Sequence, residues 1–222
     1  MSAARQPLRR DRILSAALHL ADQEGVDSLS MRNLAGKLGV QAMSLYNHVA
    51  NKDDILDGLV ELVVAEIEIP RLEDDWKVAM RRRAESAHQV LLRHPWAIMA
   101  MMTRANAGPA MLRYVDATIG CLIRAGFSYE TADHAWHTMD NHIYGFTLQE
   151  VNFPFREPDY ADTAREFMSK TTTDAYPYFT TLATLVMDRA YSGVHDLSFG
   201  LDLVLDGLER YLEEVERKND PA

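Results

Sequence analysis

The chain has very little cysteine: Cys121 is the only one among 222 residues. No internal disulfide can form, so a small extracellular scaffold stapled by disulfides is excluded and a reducing, cytoplasmic setting is expected. No apolar run approaches the eighteen residues that a membrane span needs. The basic, polar start from Met1 to Arg12 is followed by no apolar core of secretory type, so neither membrane insertion nor secretion is expected. Alternating apolar and polar stretches flanked by hairpin turns are missing, as are internal repeats and low-complexity tracts. The sequence also lacks a His-Glu-x-x-His pair, a nucleophile elbow and a Gly-rich phosphate loop, so an enzyme is not expected.

Positive charge is scarce overall, and where it occurs matters more than the total. Up to Lys52 there are seven Lys/Arg (Arg5, Arg9, Arg10, Arg12, Arg32, Lys37, Lys52) against four acids (Asp11, Asp22, Glu24, Asp27), a balance of +3. The whole chain carries −10, so the remainder carries −13. A polyanion can be drawn only to the N-terminal quarter. A solvated basic tail would give the same count.

What the sequence has in abundance is helical periodicity. Ile13, Ala17, Leu20 and Ala21 share one face of a first helix over about 8–24, closed by Gly25. Ser30 can cap a second helix with Leu34 and Leu38 inward, stopped by Gly39, and a third covers about 41–47 around Leu45. A fourth starts at Asp53 and Asp54, whose carboxylates complement the helix dipole, and runs through Ile55, Leu59, Leu62 and Ile67 to Pro70. Further helices are expected over about 75–93, 95–103, 109–125, 128–151, 159–170, 176–190 and 196–217, with a loop over 152–158. The expected fold is all-α: an N-terminal helix-turn-helix unit over residues 1–55 and a helical ligand-binding and dimerisation unit over 56–222.

Residues Ser30 to Val49 have the spacing of a helix-turn-helix. Ala35 is small where two helices must cross closely, Gly39 can adopt the left-handed conformation of the turn, and Leu34, Leu38, Val40 and Leu45 supply a shared core. An αα-hairpin without a DNA role would show the same spacing. The segment Gly39-Val40-Gln41-Ala42-Met43-Ser44-Leu45-Tyr46-Asn47-His48-Val49, followed by Asn51-Lys52, resembles the signature of the TetR family of bacterial transcriptional repressors. Leu91-Leu92-Arg93-His94 and Gly126-Phe127-Ser128 are similar to landmarks in the body of its tetracycline-repressor-like branch.

The resemblance implies a homodimer on a double-stranded palindromic DNA operator, with a small-molecule effector that releases it. Ser30, Tyr46 and Lys52 can then reach phosphate oxygens. Arg32, Gln41, Ala42, Met43, Ser44 and Asn47 are the candidates to meet base edges, with Arg suited to guanine and Gln or Asn to adenine.

The last helix repeats Leu197, Leu201, Val204, Leu208, Tyr211 and Val215 as a heptad seam, widened by Leu205 and Leu212. The helix from Ser128 shows Ala132, Trp136, Met139, Ile143 and Phe146 on one side. The resemblance implies that these two helices join their dimer mates in a four-helix bundle, with contacts at Trp136, Met139, Ile143, Leu201, Val204, Leu208 and Tyr211, although a core within one chain would use the same rows. Trp96, Met99, Met101, Trp136, His137, Asn141 and Tyr144 are the candidate effector contacts, a soft apolar lining with a few directed polar groups.

The same alignment puts Met101 where the branch has a magnesium-binding His, and Gln149 where it has a Glu that helps hold the metal. A thioether and an amide suit a hard cation poorly, so neither a metal nor another cofactor is expected. Two other readings stay open. Asp133, His137 and Asp140 share a helical face and could hold a metal in a helical enzyme. The helices could equally form an interaction module that binds no DNA.

Overall fold

The computed structural model describes residues 7–153, 160–170, 175–193 and 195–219. Among them the fold is all-helical, with α1 Arg10–Glu24, α2 Met31–Leu38, α3 Ala42–Leu45, α4 Lys52–Val64, α5 Trp76–Arg93, α6 Trp96–Thr103, α7 Pro109–Arg124, α8 Tyr129–Asn152, α9 Tyr160–Ser169, α10 Pro177–Met187 and α11 Leu197–Asn219. The local sequence places most ends. Ser30, Asn51, Asp75 and Ser128 each accept the backbone N–H three residues on, satisfying a donor that the first helical turn leaves open. Pro109 and Pro177 occupy first-turn positions, where a missing N–H is harmless. Most of the loop expected over 152–158 lies outside the described residues.

Two features depart from the expected pattern. A single 3-10 turn, Val26–Ser28, intervenes between α1 and α2. α4 ends at Val64 rather than running on to Pro70. Beyond it the amides of Glu66 and Ile67 bond three residues back, tightening the chain. Arg93 holds the Glu66 carboxylate at 2.6 Å while Ile67 turns into the core. Tertiary contacts thus end a helix whose apolar period continues.

The buried residues form two apolar clusters. One gathers Ile13, Ala17, Leu20, Leu34, Ala35, Leu45, Val49, Ile55 and Leu59 from α1 to α4. The other joins α4 to α8 and α11 through Val60, Val63, Met80, Leu91, Tyr114, Leu122, Met139, Ile143, Leu201 and Leu205. α4 therefore belongs to both.

Candidate nucleic-acid interface and the helical body

The α2–α3 unit is built by a tight turn. Gly39 sits at φ 66, ψ 35, in the left-handed region that favours glycine, and its amide closes α2 onto Ala35 and Gly36. Ala35 and Leu45 are buried in the crossing, which leaves the other sides of α2 and α3 outward. Arg32, Gln41, Met43, Tyr46, Asn47 and Lys52 are exposed, with Ala42 and Ser44 half-buried beside them. Ser30 is exposed at the start of α2, its hydroxyl oxygen accepting the Asn33 amide at 3.1 Å. All nine candidate DNA residues are therefore at least partly exposed, between the cap of α2 and the first turn of α4.

Charge on this surface is sorted by pairing. Arg10 donates two hydrogen bonds to the Asp54 carboxylate, at 2.7 and 2.9 Å, fastening the start of α1 to the start of α4. The hydrogen bond from Arg10 holds Asp54 below the usual carboxylate range. Lys37 pairs with Glu24 at 2.8 Å. Arg32 and Lys52 have no such partner among the described residues. Exposed Arg9 also has no ion pair among the described residues, so these cations are candidates to meet phosphate or base edges.

α4 also presents Asp53, Asp57 and Glu61, one per turn, to the segment joining α6 and α7. Arg104 donates to Asp57 at 2.8 Å and to Asp53 at 3.1 Å, and Asn106 donates to the Asp57 carbonyl at 3.1 Å. The Glu61 carboxylate accepts the amides of Ala110 at 2.7 Å and Met111 at 3.1 Å, capping α7 from another helix. A second junction joins α1 to the start of α6. Asp22 meets His94 Nδ1 at 2.7 Å and accepts the indole N–H of Trp96 at 2.8 Å, while His94 Nε2 lies 3.3 Å from Glu66.

The candidate effector residues differ in exposure on the single chain. Met101 and Tyr144 are half-buried against the main core, and Trp96 packs between both cores, tied to α1. Met99, His137 and Asn141 are exposed on the single chain. Trp136 is half-buried with its ring centroid 4.6 Å from that of His137. A separate apolar groove of about 300 Å³ between α9 and α10 is lined by residues such as Phe167, Phe179, Leu182 and Tyr191, none of them from that set.

Beneath Tyr144 lies a polar cluster that sequence reading did not single out. The fully buried Arg83 of α5 pairs through Nη2 with Asp140 Oδ1 of α8, and Tyr144 donates to Asp140 Oδ2 at 3.1 Å. Arg83 Cζ stands 4.8 Å from the ring centroid of Tyr114 on α7. The signal was available, since Met80, Arg83, Ala84 and Ala87 fall at i, i+3, i+4 and i+7 of one buried face.

Of the expected dimer contacts, Met139, Ile143 and Leu201 have no exposed surface and lie in the chain's own core. They cannot touch a second copy without opening that core. Val204 and Leu208 are half-buried against it, and exposed Tyr211 contacts Thr131 at 3.2 Å. The outer side of α11 instead shows Phe199 and Leu203, one turn apart.

The helical face of the alternative metal reading splits. Asp133 and His137 are exposed, Asp140 points inward to Arg83, and no three metal-ligating groups converge among the described residues. Met101 packs on apolar core and Gln149 is exposed, so these two do not fit a magnesium site. No helix of the described residues is long and apolar enough to cross a membrane.

Comparison with known proteins converges on one assignment. Residues 13–59 match the bacterial regulatory proteins of the tetR family, and residues 69–212 match the tetracyclin repressor-like C-terminal domain. The chain is 30% identical over 208 residues to the Escherichia coli tetracycline repressor protein class C, covering 91% of each. It is 37% identical over 144 residues to an HTH-type transcriptional regulator of Saccharopolyspora erythraea, a match spanning 64% of this chain and 61% of that protein. The crystal structure of the Streptomyces coelicolor TetR family protein ActR in complex with actinorhodin superposes with a TM-score of 0.76 at 27% identity, covering 93% of this chain and 99% of that one. A helix-turn-helix head, a shared α4 and a helical body thus match along nearly their whole length, and the chain belongs to the TetR family of bacterial transcriptional regulators.

Proposed function

We propose that this regulator is a ligand-responsive repressor. Two copies associate, their α2–α3 units enter successive major grooves of a palindromic operator, and a small, largely apolar or aromatic effector in the body releases them. Residues 1–55 make the DNA contacts, and residues 56–222 carry association and effector binding. Ser30, Tyr46 and Lys52 hold phosphates, while Arg32, Gln41, Ala42, Met43, Ser44 and Asn47 face base edges. No catalytic step is part of this role.

The observation that carries the reading is α4. It gives Ile55 and Leu59 to the core under the DNA surface and Val60, Val63 and Val64 to the body. Its Asp53, Asp57 and Glu61 meanwhile grip Arg104, Asn106 and the start of α7. A shift of α6 or α7 therefore pulls on the helix that supports the reading unit. For release, the effector must bind more tightly to the form with displaced heads, since equal affinity for both forms changes nothing. ActR in complex with actinorhodin supports the ligand half by likeness.

The test is fluorescence anisotropy on duplexes tiling the DNA upstream of the chain's own gene. One duplex is expected to bind two chains, with log affinity falling linearly against log salt. Salt-independent or strictly monomeric binding overturns the proposal.

A further inference from the structure

The head carries a hollow that its own side chains leave open. It measures about 710 Å³ and lies between the chain entering α1 and the turn into α3, with Pro7, Leu8 and Arg12 on one side and Val40, Gln41 and Ser44 on the other. Leu8 and Val40 also pack against the core of the head, so the fold itself sets the floor. Pro7 has a fixed φ, which stiffens the entry to α1. Gln41 and Ser44 are two of the residues proposed to face base edges, and the hollow therefore continues the candidate DNA surface.

Three arginines crowd the start of α1, and their surroundings differ. Arg10 is committed to Asp54 at 2.7 and 2.9 Å. Arg12 stands half-buried on the wall of the hollow, held by an interaction within the chain, and its guanidinium brings five donors to that place. Exposed Arg9 has no ion pair among the described residues. No acidic side chain belongs to the lining, and Asp11 of α1 stays outside it. Open walls of basic and neutral polar character suit a polyanion.

Groove geometry points to the same occupant. α3 runs for only four residues, Ala42–Leu45. A helix lying in a major groove about 12 Å wide has a phosphate strand on either side. So short a reading helix brings its flanking elements up to the sugar-phosphate backbone, and the hollow flanks its first turn.

We propose that a stretch of operator backbone runs through this hollow, where Arg12 and Arg9 donate to a phosphate distinct from those held by Ser30 and Lys52. This rests on the reading of α2–α3 as the DNA-binding unit, and it makes the start of α1 a further DNA contact. Such a contact reads no base; it fixes the register of each head and lengthens its footprint.

The experiment uses the full chain on the duplex that it binds upstream of its own gene, with a random duplex of equal length beside it. Arg9→Ala and Arg12→Ala are expected to weaken both duplexes by the same factor, and each should make the salt slope shallower by about 0.9 per bound copy. Arg12→Lys keeps the charge and should keep the slope. Ethylation of single phosphates then locates the contact. In each half-site one ethylated phosphate should block the wild type and Lys52→Ala but not the double variant Arg9→Ala, Arg12→Ala. Unchanged salt slopes, an unchanged ethylation pattern, or a loss confined to the operator overturns the proposal. If Arg12→Ala fails to fold by circular dichroism, exposed Arg9→Ala decides by the same readings.

Lys52→Ala separates this contact from the reading beneath it. A shallower slope in Lys52→Ala beside wild-type behaviour in both arginine variants removes the α1 contact and keeps the DNA-binding head. Absence of salt-dependent binding to any duplex by the wild type removes both.

Discussion

Asp22 on α1 accepts the indole N–H of Trp96 on α6 at 2.8 Å, joining the DNA-binding head to the body across 74 positions of chain. The same carboxylate oxygen lies 2.7 Å from His94 Nδ1, so a single acidic side chain serves two groups from the α5–α6 corner. Replacing it with Ala leaves both groups short of an acceptor in a partly buried place. Asp22→Ala is expected to cost about 1–3 kcal/mol by urea denaturation. Amide exchange should locate the loss in α1 and α6. Unchanged exchange in α6 would mean the junction carries no coupling.

On DNA, Arg32 and Lys52 should behave differently. Lys52→Ala is expected to weaken operator and random duplexes about equally and to make the salt slope shallower by about 1. Arg32→Ala should cost about 1–3 kcal/mol on the operator and relax the preference at one base pair of each half-site. Equal losses on both duplexes for Arg32→Ala would make it a phosphate contact.

The surface positions of these candidate DNA residues were legible because they are set locally. Ser30 caps because a hydroxyl beside a first helical turn finds an open amide, and Gly39 turns because only it lacks a Cβ at positive φ. The body was less legible because distance along the chain hides its partners. Trp96 read as a ligand contact since no local pattern announces Asp22. Arg83 is one of three consecutive arginines, yet Arg81 and Arg82 reach Asp202 and Glu68 while Arg83 points into the core. α4 ended early for the same reason, since Arg93 that holds Glu66 lies 27 residues away. Apolar rows on α8 and α11 marked burial at most positions, exposed Tyr211 excepted, but could not say whether the covering surface was the chain itself.

That ambiguity sets up a paired substitution on α11. Leu203 is 60% exposed whereas Leu201 is fully buried. Leu203→Asp is expected to leave helix content and monomer stability intact while weakening association by several kcal/mol, because a charge would be buried at the contact. Operator affinity should fall with it, since a monomer cannot span half-sites about 34–36 Å apart. Leu201→Asp should instead unfold the body. Sedimentation and circular dichroism on both variants distinguish the outcomes, and a Leu203→Asp variant that remains dimeric excludes this side of α11.

His88 should make stability fall in mild acid. The Thr147 hydroxyl donates to the Ile143 carbonyl at 2.6 Å, so its oxygen accepts from His88 Nδ1 at 2.8 Å and the imidazole is held as that tautomer. Burial lowers the His88 pKa below the ordinary imidazole range, and Glu150, 3.3 Å from Nε2, offsets only part of the effect. The native state then binds fewer protons than the unfolded chain. Stability contributed by the neutral ring is complete above the unfolded pKa and is lost as pH falls through the folded one. Wild type should lose stability between about pH 7 and pH 5 more steeply than His88→Asn, which keeps a donor to Thr147 but cannot titrate. Parallel pH profiles would remove His88 as the cause.

The last expectation concerns how α4 holds α7. Gly108 precedes Pro109, and a Cβ built on it would stand 2.2 Å from Glu61 Cδ. The close approach lets the Glu61 carboxylate accept the amides of Ala110 and Met111. Gly108→Ala must push that carboxylate away or lift the start of α7, and either movement gives up the cap. The expected cost is about 0.5–2 kcal/mol, the range for losing a helix N-cap. Glu61→Gln keeps one oxygen acceptor but turns an NH2 donor toward the second backbone amide and loses the charge that favours a helix N-terminus, so it too should cost about 0.5–2 kcal/mol. If this contact transmits strain between body and head, both variants should also change operator affinity without effector, in the same order as their stability losses, although neither residue lies on the DNA surface. Urea titrations and anisotropy on the two variants supply both numbers. Stability losses with unchanged operator affinity would confine the Glu61 cap to holding the fold.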